Sequence, residues 1–183
     1  MNQNIINDLK AFDWQTIIEY GNSLDDLNDG QYRFVKGLAT ELCVEKHSNS
    51  DLTYVGAKHK DFDWPKHNIT AELKSQLSGG MYGKKGQLKK NYSVKLNNSH
   101  GTNKQKTIDP ADVADVIIVV RDDGAFAIDK ATAIRNAVSG GDGFEVKVTK
   151  SEIIELSGLV VPDQTFDTNL KHKIATAVRD SLP

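Results

Sequence analysis

Of the five ionisable side chains in the stretch DWPKHNITAELKS, three have types and spacing that could do chemistry: Asp63, Glu72 and Lys74. Side chains alternate between the two faces of a strand, so Glu72 and Lys74 are expected side by side on one face of ITAELKS. If His67 and Asn68 form a two-residue hairpin loop, Asp63 lies directly opposite Glu72, with Cβ atoms about 5 Å apart. The sequence therefore predicts two carboxylates and an ammonium group at one point of a hairpin.

Two carboxylates at that distance repel each other and require a positive partner. Mg²⁺ is held in proteins by carboxylate oxygens, often together with phosphate oxygens of a substrate. A lysine beside the ion can orient a water molecule or help to deprotonate it. Asp63, Glu72 and Lys74 are therefore the predicted catalytic residues, with Asp63 and Glu72 as metal ligands. These parts suit the hydrolysis of a phosphodiester bond.

Two other aspartates compete with Asp63 for the first position. In the same register Asp61 would lie opposite Lys74 and could pair with it. Asp51 begins the segment DLTYVG, but its separation from Glu72 requires a long hairpin. We rank Asp63 first, Asp61 second and Asp51 third, and this order depends on the register of a turn that lacks glycine.

The segment after the hairpin is basic, although the net charge of the chain is only −2. No acidic residue occurs between Glu72 and Asp109. Contacts of lysine with phosphates supply much of the affinity of proteins for DNA, and asparagine can read base edges. The predicted DNA-binding residues are Lys84, Lys85, Lys89, Lys90, Lys95, Lys104, Lys106, Asn97, Asn98 and His100. The alternative is a solvated lysine-rich loop.

The hairpin motif resembles the catalytic hairpin of the PD-(D/E)xK nucleases, and especially that of the type II restriction endonucleases. The resemblance covers about residues 30–135. It implies the main-chain carbonyl of Leu73 as a further metal ligand and Glu41 as an auxiliary acid on the preceding helix. It also implies Mg²⁺ as cofactor, for which Mn²⁺ can substitute, double-stranded DNA as partner, and a homodimer. The sequence departs from the family motif at Phe62, since no proline precedes Asp63.

Hydrophobic periodicity predicts the elements that would position these residues. Residues 1 to about 47 are expected to be helical. Strands are expected over DLTYVG, ITAELKS, residues 94–96, ADVIIVVR, AFAID and FEVKVT. Helices are expected over KATAIRNAV and, near the C-terminus, over NLKHKIATAVRDSL. This order predicts an α/β (α+β) fold with a mixed central β-sheet flanked by helices, similar to the restriction endonucleases.

The length suits one endonuclease domain over residues 1–183. Its expected parts are a helical region at 1–47, a catalytic and DNA-binding core at 48–150, and a C-terminal helical region at 151–183. A single cysteine, Cys43, excludes a disulfide within the chain. With no apparent signal peptide and no apolar run long enough to span a bilayer, we expect a cytoplasmic protein without membrane contact.

The sequence thus predicts a Mg²⁺-dependent, sequence-specific DNA endonuclease of the type II restriction class. One alternative is a structure-specific or repair nuclease of the same superfamily. A second is a non-catalytic DNA-binding protein in which Glu72 and Lys74 form an ordinary surface pair. A third is a globular protein unrelated to nucleic acid.

Overall fold

A computed structural model describes residues 1–24, 33–57, 60–76, 92–97, 107–121, 124–140 and 143–158. Within these ranges the helices are α1 (Gln3–Ala11), α2 (Trp14–Ser23), α3 (Arg33–Lys46) and α4 (Lys130–Asn136). The strands are β1 (Thr53–Ala57), β2 (Lys60–Trp64), β3 (Ile69–Gln76), β4 (Tyr92–Asn97), β5 (Val116–Arg121), β6 (Gly124–Asp129), β7 (Ala137–Gly140), β8 (Gly143–Val148) and β9 (Ile154–Ser157).

The central sheet has six strands in the order β1-β2-β3-β5-β6-β9. The β3–β5 pair is parallel and the other pairs are antiparallel, so the sheet is mixed. A second, antiparallel sheet has the order β4-β8-β7. The prediction of an α/β chain with a mixed central sheet flanked by helices is confirmed at this level.

The middle of the central sheet is covered on both faces, because every residue of β5 is buried. Ile118 and Val120 pack in a cluster with residues of α1, α2 and α3. Ile117 and Val119 point to the other face, where they pack with residues of α4 and the second sheet. A strand buried on both faces is a continuous run of apolar residues, as predicted for ADVIIVVR.

Two predicted elements differ in the structure. The helix over KATAIRNAV ends at Asn136, and the chain then forms β7, in which Ala137 pairs with Val146 of β8. Strand β9 lies within the region predicted to be helical, and Ile154 pairs there with Ala127 of β6. In both places, pairing with a strand distant in sequence decides the conformation over local periodicity. The predicted helix over NLKHKIATAVRDSL lies outside the described residues.

Cys43 is only partly buried, and it packs against the cluster on the helical face of the sheet. Burial raises the pKa of its thiol. In the described part of the chain, no helix is both long enough and apolar enough to cross a membrane.

Candidate active site

The hairpin that carries the predicted catalytic residues closes through a longer turn than the sequence predicts. Strand β2 ends at Trp64, the segment Pro65–His67 forms one 3₁₀ turn, and Asn68 adopts a left-handed conformation with φ 53°. Trp64 then pairs with Ile69. Residues 65–68 form the loop in place of His67 and Asn68 alone, so the register shifts by two residues and every side chain keeps its face.

The shift changes which aspartate lies beside Glu72. Asp63 pairs with Thr70 and is exposed, so the predicted Asp63–Glu72 pair is wrong. Backbone pairing of the two strands ends at Phe62 with Ala71. Continued by one step, this register would set Asp61, the second-ranked aspartate, across from Glu72. The same register does not set Asp61 opposite Lys74, where the sequence predicts it.

The Asp61 carboxylate is held against β3 by a main-chain contact. Its Oδ2 accepts a hydrogen bond of 2.7 Å from the backbone N–H of Leu73. This bond lies just beyond the last backbone pair of β2 with β3, Phe62–Ala71. The side chain of Asp61 thus extends the ladder and fixes a carboxylate next to the Glu72–Lys74 segment.

Glu72 is an acid inside the sheet, and only 3% of the residue is exposed. Its neighbour on β5 is Ile117, and Lys74 lies beside Val119. The Lys74 ammonium forms an ion pair with Glu72 Oε1, while 22% of the lysine side chain stays exposed. The lysine side chain therefore extends from the buried Glu72 carboxylate to the solvent.

The electrostatics of the site disfavour a second negative charge. Burial raises the pKa of the Glu72 carboxyl, Lys74 opposes this effect, and the charge of Asp61 adds to it. Burial also raises the pKa of Glu41 on α3, and the charge of Asp61 raises it further. Glu41 thus lies in the electric field of the Asp61–Glu72 pair. The auxiliary acid predicted from the resemblance is in the same neighbourhood.

A tyrosine that sequence reasoning missed takes part in this neighbourhood. Tyr54 of β1 forms a hydrogen bond through its side chain to Glu41, and this bond lowers the pKa of Glu41. Burial, the charge of Glu41 and that hydrogen bond raise the pKa of Tyr54. The sequence offers no clear signal for this contact, because it depends on where β1 packs against α3.

Asp51, the third-ranked aspartate, lies at the closed end of the hairpin. Its Oδ2 is 3.6 Å from the Lys66 ammonium, which also lies 2.8 Å from Asp8 of α1. The structure therefore separates Asp51 and Asp63 from Glu72, and it places Asp61 and Lys74 next to Glu72. Glu41 of α3 makes no contact with these side chains in the described structure, although their charges act on its pKa. Leu73 lies between Glu72 and Lys74 in β3.

Most of the predicted DNA-binding residues lie outside the described residues: Lys84, Lys85, Lys89, Lys90, Asn98, His100, Lys104 and Lys106. Lys95 is exposed on β4, directly across from Glu145 of β8. Asn97 is the last residue of β4 and pairs with Gly143.

The donor set at Asp61 and Glu72 fits a hard cation with oxygen ligands. Magnesium sites commonly use one or two carboxylates, with water or substrate oxygens completing the shell. Two adjacent carboxylates, at least one of them with a raised pKa, repel each other when both are ionised, and such a cation would neutralise this repulsion. In the described ranges, no group of three or more His, Cys, Asp or Glu side chains is arranged to hold a metal ion.

Comparison of the chain with protein-family models, curated proteins and solved structures finds no match.

Proposed function

We propose that this chain is a Mg²⁺-dependent nuclease that hydrolyses phosphodiester bonds of double-stranded DNA. The observation that carries the proposal is that the Asp61 carboxylate accepts the Leu73 N–H, directly beside the buried Glu72 and its ion pair with Lys74. Asp61 takes the place that the sequence assigned to Asp63. In this proposal the fold is restriction-endonuclease-like, and the enzyme is a sequence-specific, type II homodimer.

In the proposed mechanism, Asp61, Glu72 and the main-chain carbonyl of Leu73 would hold the cation. Mg²⁺ bound there would polarise the phosphate and lower the pKa of a coordinated water. The Lys74 side chain is partly exposed, and its ammonium could orient the attacking water and stabilise negative charge on the phosphate. Water would attack phosphorus and lose a proton to solvent, while the bond to the 3′ oxygen breaks in line and that oxygen takes up a proton from solvent.

The hairpin offers a matched pair of variants that tests the proposal. Asp61→Asn removes a carboxylate beside Glu72, whereas Asp63→Asn changes an exposed aspartate two residues away on the same strand. We expect Asp61→Asn to abolish Mg²⁺-dependent cleavage of purified duplex DNA and Asp63→Asn to retain it. Full activity in Asp61→Asn, or loss in Asp63→Asn alone, would reject the assignment.

Parallel measurements separate the remaining classes. Discrete fragments from plain duplex DNA support a site-specific enzyme, and cleavage restricted to branched or damaged DNA supports a repair nuclease. Salt-sensitive binding that is indifferent to Mg²⁺, with no cutting, supports a DNA-binding protein in which Glu72 and Lys74 form an ordinary ion pair. Sedimentation of the intact chain tests the dimer.

A further inference from the structure

Helix α3 has apolar side chains on its solvent side, although polar side chains occur on its buried side. Lys36 and Thr40 lie among the buried residues of the helix. Val35, Leu38 and Leu42 lie on the outer side, and each is between 43% and 51% exposed. Their spacing of three and four residues is that of a stripe that packs against another element. The outer side of α3 therefore has the composition of a contact surface.

A fourth exposed apolar side chain, Tyr20 of α2, borders the same surface. Tyr20 and Leu42 both line a cavity of about 360 Å³ between α2 and α3. The described residues include only two other large apolar side chains that are exposed, Val55 and Val138. Exposed apolar side chains that cluster, and do not occur singly, mark sites where another molecule binds. We define the α3 patch as Tyr20, Val35, Leu38 and Leu42.

The α3 patch has a shape that fits a second copy of itself. Val35 and Leu38 form a ridge on α3, and the cavity beside Leu42 forms a hollow. In a two-fold contact the same surface occurs on both sides, so the ridge of each copy can enter the hollow of the other. Helices that pair with an equivalent helix also use this three- and four-residue spacing of apolar side chains.

The charges around the cavity are complementary in the same arrangement. Lys46, at the end of α3, lines the cavity and is exposed, and Glu19, next to Tyr20 on α2, is exposed as well. Glu19 accepts a hydrogen bond from Gln15, and neither charge forms an ion pair with another described residue. A two-fold axis through the cavity would bring Lys46 of each copy towards Glu19 of the other, and such charge pairs select a partner. A purely apolar ligand would leave both charges unpaired, so the charges favour a second copy.

We propose that the α3 patch is the interface between two copies of this chain, related by a two-fold axis that passes near the cavity. The apolar ridge of each copy fills the hollow of the other, and Lys46 of each copy pairs with Glu19 of the other at the rim. This inference deepens the proposed function and rests on it for the homodimer, to which it assigns a surface. Glu72 lies on the face of the sheet opposite α3, so this dimer leaves both candidate active sites open to DNA.

Sedimentation velocity of the full chain over a range of concentrations measures the dissociation constant of the dimer. Val35→Lys and Leu42→Lys each place a charge within the α3 patch, and we expect either to raise that constant by about thirtyfold or more. Val138→Lys is the matched control, because it makes the same change at an exposed valine of β7, across from Glu145. The control should sediment as the parent does.

A charge exchange tests whether the partner is a second copy. Lys46→Glu and Glu19→Lys should each raise the dissociation constant by about tenfold, because like charges then face each other twice in the dimer. An equimolar mixture of the two variants should recover the affinity of the parent, since every rim contact between unlike copies again joins opposite charges. Both positions are exposed, so the exchange keeps the test decisive if Val35→Lys or Leu42→Lys fails to fold.

The outcomes separate this inference from the proposed function. A parent chain that stays monomeric, a folded Leu42→Lys variant that is still dimeric, or a mixture that does not recover the affinity overturns the α3 interface. If such a parent cuts DNA with Mg²⁺, the nuclease proposal stands without this interface. If the dimer responds as expected but the parent cuts no DNA, the interface stands and the nuclease proposal falls.

Discussion

Acidic side chains lie at both ends of the β2–β3 hairpin, and the two ends hold them differently. At the closed end, Asp8 of α1 lies 2.8 Å from the Lys66 ammonium and 2.7 Å from His67 Nε2. The hydrogen bond from Lys66 and that from His67 lower the pKa of Asp8 despite partial burial. At the open end, burial and neighbouring acids raise the pKa of Glu72 and Glu41.

Ionised acids at the closed end therefore stabilise the folded chain, whereas ionised acids at the open end destabilise it. A carboxylate with a lowered pKa is more favourable in the folded chain than in the unfolded chain. One with a raised pKa is less favourable there when ionised, and such groups concentrate at functional sites. Hence we expect changes at the open end to alter activity and changes at the closed end to alter stability.

The largest expected effect is on catalysis at the open end. Lys74→Ala removes the ammonium beside Glu72 and should lower the rate of DNA cleavage by about 10²- to 10⁴-fold. Lys66→Ala, which removes a lysine paired with acids at the closed end, should leave the cleavage rate unchanged. Single-turnover cleavage of a duplex oligonucleotide measures both, and equal losses in the two variants would remove the distinction between the ends.

The next effect is on stability at the closed end. Trp64 is fully buried and packs against Phe12, with ring centroids 5.8 Å apart. Trp64→Ala should therefore lower the free energy of unfolding by about 3–5 kcal/mol, because it deletes a large buried side chain. Denaturant titration measures this loss. Protein that is still folded should keep cutting DNA; inactivity in a folded variant would show that the closed end also serves catalysis.

A smaller effect follows from the acid at the closed end. Since the pKa of Asp8 in the folded chain lies below its ordinary value of 3.8, its stabilising effect is present above pH 3.8 and disappears as the pH falls through the lowered pKa. Asp8→Asn should lower the free energy of unfolding by up to about 1 kcal/mol at pH 7, since the pair is partly exposed. Urea titrations at pH 7 and pH 3 test this, and a loss that is the same at both values would contradict it.

The smallest expected effect is on stability at the open end, where the substitution should stabilise the folded chain and not destabilise it. Because the pKa of Glu41 is raised above its ordinary value of 4.5, its ionisation destabilises the fold as the pH rises from 4.5 through the raised pKa. Glu41→Gln escapes this cost, so its stability relative to the parent should increase between pH 4 and pH 8. Thermal unfolding across this range, with Glu19→Gln on an exposed position as control, measures the trend. A relative stability that falls with pH would show that Glu41 is well partnered.

The types of the elements could be predicted from the sequence, because they depend on local periodicity. The run of valine and isoleucine in β5 contains no polar residue that could face the solvent, so it predicts a strand that is buried on both faces. The alternation in ITAELKS put Glu72 and Lys74 on one face, and the structure keeps them there as an ion pair. Short elements stabilised by distant partners, such as β7 and β9, could not be predicted in the same way.

Only the tertiary structure decided which acid meets Glu72. The alternation of side chains is the same for Asp61 and Asp63, so both share a face in any register, and the turn alone chooses between them. That turn depends on Pro65 starting a 3₁₀ segment and on Asn68 accepting a left-handed conformation. The contact of Tyr54 with Glu41 likewise needs β1 packed on α3. Spacing along the chain determined the pair of residues on β3, and packing in space determined their partners.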